Sequence, residues 1–240
     1  MVYLSTMIPK VIHYCWFGKG KLSPLMEDCI TSWKKTNPDF EIRKWDEDTF
    51  DVTSHPFANR MYKEKKWAFV SDYARLVILE KHGGFYLDID MLLLQSLDTC
   101  TAYPCVVGEE DHGILNAAFF GAEKNHPYVE ACRAYYDTNP KQLETIPVIM
   151  SRIYNNLPRV VKESVHVYRS EVFYPFSQKH IHKYHGQDLG ENVLGVHLWN
   201  YSWGHPLNRL FKKIGVYHFG KKVVEVLGIK KILKKLLGFI

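Results

Sequence analysis

The segment KKWAFVSDYARLVILEKHGGFYLDIDMLLL, residues 65–94, constrains the fold more than any other stretch of the chain. Val70, Tyr73, Ala74, Val77 and Ile78 recur at helical spacing and would line one buried face of a helix. Gly83 stands just past the last turn, where a cap is expected. The residues after Gly84 form an apolar run that reads as a buried strand and is interrupted only by Asp88 and Asp90. A helix feeding through two glycines into such a strand must cover apolar surface on both elements, which layered α/β architectures do.

The rest of the chain repeats this alternation. IPKVIHYCWFG suggests a first strand from Val11 to Trp16 ending in a glycine turn. SPLMEDCITSWKKTNP offers a Ser cap, apolar residues Leu25, Cys29, Ile30 and Trp33 at helical spacing, and an Asn37-Pro38 stop. FEIRKWD alternates as a short strand, CVVGEE suggests another, and NHPYVEACRAYY a helix. SVHVYRSEVFYP and VLGVHLW are expected as late strands. The glycine pair follows a helix and precedes a strand. A dinucleotide-binding loop has the reverse order, so a Rossmann dehydrogenase is disfavoured.

The two acids demand an explanation. Residues i and i+2 of a strand share a face, so Asp88 and Asp90 are expected to point together, with Ile89 packed behind. Adjacent carboxylates repel, and each is costly to bury without a partner. A hard divalent cation such as Mg²⁺ or Mn²⁺ resolves both problems and leaves coordination positions for a substrate phosphate. The alternative is a pair facing water on an edge strand, or neutralised by Lys or Arg. Upstream, Asp72 and Arg75 are three apart on the helix and therefore side by side, either as a surface ion pair or as part of the same site.

Taken together, IPKVIHYCWFG, SDYARLVILEKHGGFYLDIDM and HLWNYSW resemble the DXD-containing sugar transferases of glycosyltransferase family 32. A more distant similarity is to the glucosylating bacterial toxins. The likeness is good from about Ile8 to Pro127, patchy to Trp203 and absent beyond. It implies a GT-A-type nucleotide-sugar-binding fold, a Rossmann-like mixed sheet flanked by helices. It also implies a retaining, metal-dependent transfer from a UDP- or GDP-sugar to a saccharide or lipid-linked saccharide, in capsular or lipopolysaccharide synthesis.

By the same resemblance Asp90 binds Mn²⁺ or Mg²⁺, and Asp88 contacts ribose or the water shell of the metal. Asp72 takes sugar hydroxyls, and Arg75 a sugar hydroxyl or phosphate oxygen. Trp16 lies against the base, unless it is a core tryptophan. Tyr86 lines the same site. His197 is a third metal or diphosphate partner, or a structural histidine, and Trp203 with Ser202 closes over the diphosphate. Asn116 falls on the acceptor side. The histidines of KHIHKYHG have no familiar zinc spacing and suggest a solvated loop.

Charge is unevenly distributed. Residues 207–240 hold nine Lys/Arg and one acid, a net +8, which leaves the first 206 residues at −3 within the total of +5. The natural division is a catalytic domain over 1–206 and a basic amphipathic tail over 207–240. In the tail Val226, Ile229, Ile232, Leu233, Leu236, Leu237 and Ile240 would share one helical face, with Lys230, Lys231, Lys234 and Lys235 on the other. Such a helix suits an anionic membrane interface, and the alternative is a helix docked on the body. Its wide apolar face argues against nucleic acid as the partner.

The N-terminus has no apolar secretory core, and no stretch is long and apolar enough to span a membrane. The five cysteines are scattered, as reduced core thiols are. The expectation is a cytoplasmic enzyme held peripherally at the inner face of a membrane. Two other classes fit less well. A phosphoryl hydrolase would want a second carboxylate cluster, for which EEDHG at 109–113 is the local candidate. A non-catalytic sugar-binding partner would have no need of Asp72, Arg75, Asp88 and Asp90 together.

Overall fold

A computed structural model describes residues 8–200. The chain runs β1 Val11–Cys15, α1 Pro24–Thr36, β2 Glu41–Trp45, α2 Pro56–Lys63, α3 Trp67–His82, β3 Gly84–Leu87 and β4 Met91–Leu93. There follow β5 Cys105–Asp111, β6 Ile114–Ala122, α4 Pro127–Thr138, α5 Ile146–Asn156, α6 Arg159–Lys162, β7 Val165–Tyr168, α7 Ser170–Phe173 and β8 Gly195–His197. Trp203 and the basic tail at 207–240 lie outside the described residues.

The main sheet has the order β2-β1-β3-β6-β5-β7. β1 pairs in parallel with β2 and β3, and β5 with β7, while β6 is antiparallel to both β3 and β5. Five strands therefore point one way and β6 alone runs against them. β4 and β8 form a separate two-stranded antiparallel sheet. Apolar clusters cover both faces of the main sheet. One joins Tyr86, Val107 and Phe120 to Val70, Ala74 and Leu79 of α3. The other joins Ile12, Phe85 and Leu87 to Met26, Cys29 and Trp33 of α1.

Local chemistry explains the helix boundaries. The Ser23 hydroxyl accepts from the Met26 amide at 3.4 Å, with Pro24 opening α1. α3 ends at Gly83, and both Gly83 (φ +64°) and Gly84 (φ +96°) take backbone conformations that side chains disfavour. A Cβ on Gly84 would come within 2.7 Å of the Val11 carbonyl, so the glycine also lets β3 close on β1. Buried His13 locks this corner: its Nε2 hydrogen-bonds the Gly83 carbonyl at 3.0 Å, and the Trp45 indole N–H donates to its Nδ1 at 3.1 Å.

Two expectations need correction. The strand expected through Asp88 and Asp90 is broken: β3 stops at Leu87, both acids lie in the connection, and β4 begins at Met91 in the other sheet. The chain leaves the main sheet there because the Asp88 N–H makes the last bond across to β6, to the Ala118 carbonyl at 2.9 Å, and Met91 turns back onto the Asp88 carbonyl at 2.9 Å. SVHVYRSEVFYP is likewise divided, into β7 and the single turn of α7. The central strand β6 shows no alternation, because eight of its nine residues are buried and neither face meets water.

Candidate active site

The site forms at the carboxyl edge of the main sheet, where ligands sit in open α/β sheets. It begins with an irregularity. β5 and β6 pair as Val107↔Phe120 and next as Gly108↔Asn116, so Ala117–Phe119 bulge from the ladder. Bulges of this kind re-aim backbone groups beside functional sites. Here the freed Ala117 carbonyl accepts from Arg75 Nη1 at 2.9 Å, while Ala118 receives the Asp88 amide. Tyr174 plugs the gap: its hydroxyl accepts from the Phe119 N–H and donates to the Asn116 carbonyl, both at 3.1 Å. Its ring occupies the space over Gly108, where a Cβ would lie 2.5 Å from Cε2.

Arg75 is the hub. Its guanidinium contacts Asp72 at 3.0 Å and Asp88 at 3.2 Å, Nε donates to the Ser71 carbonyl at 3.2 Å, and Cζ lies 4.4 Å from the centre of the Tyr86 ring. The residue is 4% exposed, so this is no surface ion pair. Burial disfavours its charge, yet Asp88, Tyr86 and Asp72 more than restore it and raise its pKa. Burial pushes the Asp72 carboxyl up to about 7, against the pull of Arg75. Asp88 is also raised by burial, offset by Arg75 and His197 and by a hydrogen bond from Tyr86. Tyr86 itself is buried, with its ring against the Arg75 guanidinium.

The small sheet brings in the last member. Pairing of Met91 with His197, extended by the Leu198 N–H to the Asp90 carbonyl at 2.9 Å, sets the His197 ring beside Asp90. Nε2 lies 3.2 Å from Asp90 Oδ1. The ring centre is 4.1 Å from that of Trp199, a bulky residue at φ +51° whose indole N–H is tied to the Phe176 carbonyl at 2.9 Å. Such a backbone costs of order 1–3 kcal/mol and persists only where its surroundings enforce it. Burial opposes charge on His197, but Asp90 outweighs it and the imidazole pKa is raised.

Asp88, Asp90 and His197 each offer a ligand atom, all within 4.8 Å of one another. Two observations fit them to a divalent ion. The donor set pairs hard carboxylate oxygens with an imidazole, and His197 Nδ1 is buried without a hydrogen-bond partner among the described residues.

The structure therefore gathers Asp72, Arg75, Tyr86, Asp88, Asp90 and His197. Trp16 follows β1 at the same edge, partly exposed, with its indole N–H committed to the Gly20 carbonyl at 2.6 Å. Asn116 is buried beside the bulge: its amide donates to Glu110 Oε2 at 2.6 Å and its Oδ1 accepts from the Ala118 N–H at 2.8 Å. The bulge carbonyls and Tyr174 were not legible as site members, since nothing local marks them, and Glu110 stood out only within EEDHG, as the carboxylate cluster a hydrolase would want.

Residues 23–107 match the family of the glycosyltransferase sugar-binding region containing DXD motif. The matched segment holds Asp72, Arg75, Asp88 and Asp90. The chain is 29% identical over 132 residues to inositol phosphoceramide mannosyltransferase 3 of Schizosaccharomyces pombe, covering 52% of this chain and 36% of that protein. It is 28% identical over 149 residues to human lactosylceramide 4-alpha-galactosyltransferase, covering 55% and 41%. The chain thus spans well under half the length of either relative. Among solved structures, the PaToxG glycosyltransferase superposes with a TM-score of 0.54 at 18% identity, over 63% of this chain and 70% of that one. The fold is of the GT-A type.

Proposed function

We propose that the chain is a divalent-ion-dependent, retaining glycosyltransferase that moves a sugar from a UDP- or GDP-sugar to a saccharide or lipid-linked saccharide. The observation that supports it best is the convergence of Asp88, Asp90 and His197 at the sheet edge, next to the buried Asp72–Arg75 pair.

Asp88, Asp90 and His197 would hold Mn²⁺ or Mg²⁺, which supplies positive charge to the departing nucleoside diphosphate. Arg75, spent on Asp72, Asp88 and the Ala117 carbonyl, acts by holding both carboxylates in place. In this reading its expected contact with a sugar hydroxyl or phosphate oxygen comes in addition to that holding role. Asp72 accepts hydroxyls of the donor sugar, and Trp16, pinned through Gly20, lies along the base. The acceptor hydroxyl attacks from the face the diphosphate leaves, and a departing phosphate oxygen takes its proton.

A lipid-linked acceptor is favoured by the ceramide lipids in the names of both relatives. Among the described residues no helix is long and apolar enough to cross a membrane. Residues 207–240 would then bring the enzyme to an anionic, cytoplasm-facing membrane surface.

The test is nucleoside diphosphate release from a panel of UDP- and GDP-sugars with Mn²⁺, in full-length protein and Asp90→Asn. Release by the wild-type chain that a chelator and the substitution both abolish is the expected result. Full release in chelator would overturn the metal site, and no release from any donor would overturn the reading itself.

A further inference from the structure

We infer that Glu110 is the residue that receives a hydroxyl of the acceptor sugar and that it biases the enzyme toward neutral acceptors. This rests on the glycosyltransferase reading above.

Glu110 stands at the carboxyl end of β5, half-buried, in the run EED. An unbroken line of contacts fixes it to the site. The Asp88 N–H bonds the Ala118 carbonyl at 2.9 Å, the Ala118 N–H bonds Asn116 Oδ1 at 2.8 Å, and Asn116 Nδ2 donates to Glu110 Oε2 at 2.6 Å. Asn116 is 7% exposed and cannot turn freely, so the carboxylate it grips is aimed rather than mobile. The charge of Glu110 is also felt by His197 and Tyr174.

Strand order gives the direction. Along the carboxyl edge Trp16 follows β1, Asp88 follows β3, Asn116 lies on β6 and Glu110 on β5, in the spatial order β1-β3-β6-β5. Adjacent strands are about 4.8 Å apart. A donor with its base at β1 and its diphosphate at Asp88 and Asp90 has its reactive end turned toward β6 and β5. Glu110, on β5, thus stands two strands across from the end of β3, on the side away from Trp16. One carboxylate oxygen is held by Asn116, which leaves the other to accept from a hydroxyl. Among the described residues no cation is ion-paired to Glu110, although Asp72 and Asp88 share Arg75. An acceptor carrying its own carboxylate would meet this uncompensated charge, whereas a neutral hydroxyl gains a charge-assisted hydrogen bond.

The experiment uses the full chain with Mn²⁺ and whichever nucleotide sugar it hydrolyses fastest. Acceptors are a panel of short-chain alkyl hexosides and the matching alkyl hexuronides. Wild-type protein is expected to prefer the best hexoside over its hexuronide by about tenfold or more, the worth of one charge-assisted hydrogen bond. Glu110→Gln keeps an oxygen for Asn116 and is expected to raise the hexoside KM about tenfold and to shrink the preference below about threefold. Affinity for the nucleoside diphosphate with Mn²⁺, read by tryptophan fluorescence, is expected to stay within about twofold. Glu110→Asp, which keeps the charge but falls short of Asn116, should retain the preference while raising the acceptor KM. The inference is overturned if Glu110→Gln leaves the acceptor KM unchanged, if the loss falls on the donor, or if wild-type protein accepts hexuronides equally or no hexoside at all. Absence of donor turnover in the wild-type chain would instead overturn the glycosyltransferase reading.

Discussion

Replacing Arg75 with methionine is the sharpest perturbation this structure offers. Arg75 is a buried cation shared by the buried Asp72 and the half-buried Asp88, and methionine keeps the stem while removing every donor. Breaking a buried pair from one side costs about 3–5 kcal/mol. The Ala117 carbonyl, left without its 2.9 Å donor, adds about 1 kcal/mol. That is a large part of the roughly 5–15 kcal/mol that holds a domain folded. At about 3 °C per kcal/mol for a domain of this size, the melting midpoint should drop by more than 10 °C.

The loss should also depend on pH. Asp72 already titrates at about 7 with Arg75 beside it, and without that charge its carboxyl rises further. A carboxyl whose folded pKa lies above its unfolded one stabilises the fold when protonated, and that contribution is lost as pH rises. Arg75→Met should therefore be most destabilised near pH 8 and recover toward pH 5. Urea titrations at the two pH values read this directly. A loss below about 1 kcal/mol at pH 8, the size of an exposed ion pair, would refute the reasoning.

Three further outcomes are expected. Mn²⁺ at a hundredfold its Kd should stabilise wild-type protein by about 2.7 kcal/mol in thermal denaturation, and Asp90→Asn should abolish the shift; an equal shift in the variant would place the ion elsewhere. Burial holds His13 and His126 at about 4, so below pH 6.5 the unfolded chain binds protons that the native state refuses. Each costs up to about 3 kcal/mol as pH falls from 6.5 to 4, and His126→Asn, which can still cap α4, should flatten that acid limb by about half. An unchanged urea profile would show His126 protonating freely in the fold. Removing residues 207–240 should abolish salt-sensitive binding to phosphatidylserine vesicles, to which each basic residue contributes about 1 kcal/mol; undiminished co-sedimentation would place the membrane contact in the body.

The amino-acid sequence by itself determined the pieces that depend on neighbours along the chain. The apolar face of α3, the Ser23 cap of α1, the Gly83-Gly84 corner and the acids at 88 and 90 are all legible, because caps, periodicity and positive-φ glycines act within a few residues. The resemblance that groups Asp72, Arg75, Asp88 and Asp90 is equally a property of the string. What only the tertiary structure decided is set by partners far away. Leu87 ends its strand because the chain turns out of the main sheet after the Asp88 bond to β6, and β6 hides from pattern reading because it is buried on both faces. The bulge at Ala117–Phe119 turns carbonyls toward Arg75 and Asp88, which changes a plausible surface pair into a buried hub. Pairing of β8 with β4 brings His197 to Asp90 across 107 residues, and one amide of Asn116 draws Glu110 to the same edge. Hydrogen bonding between distant strands leaves no periodic trace in either one, so these contacts exist only once the sheet has formed.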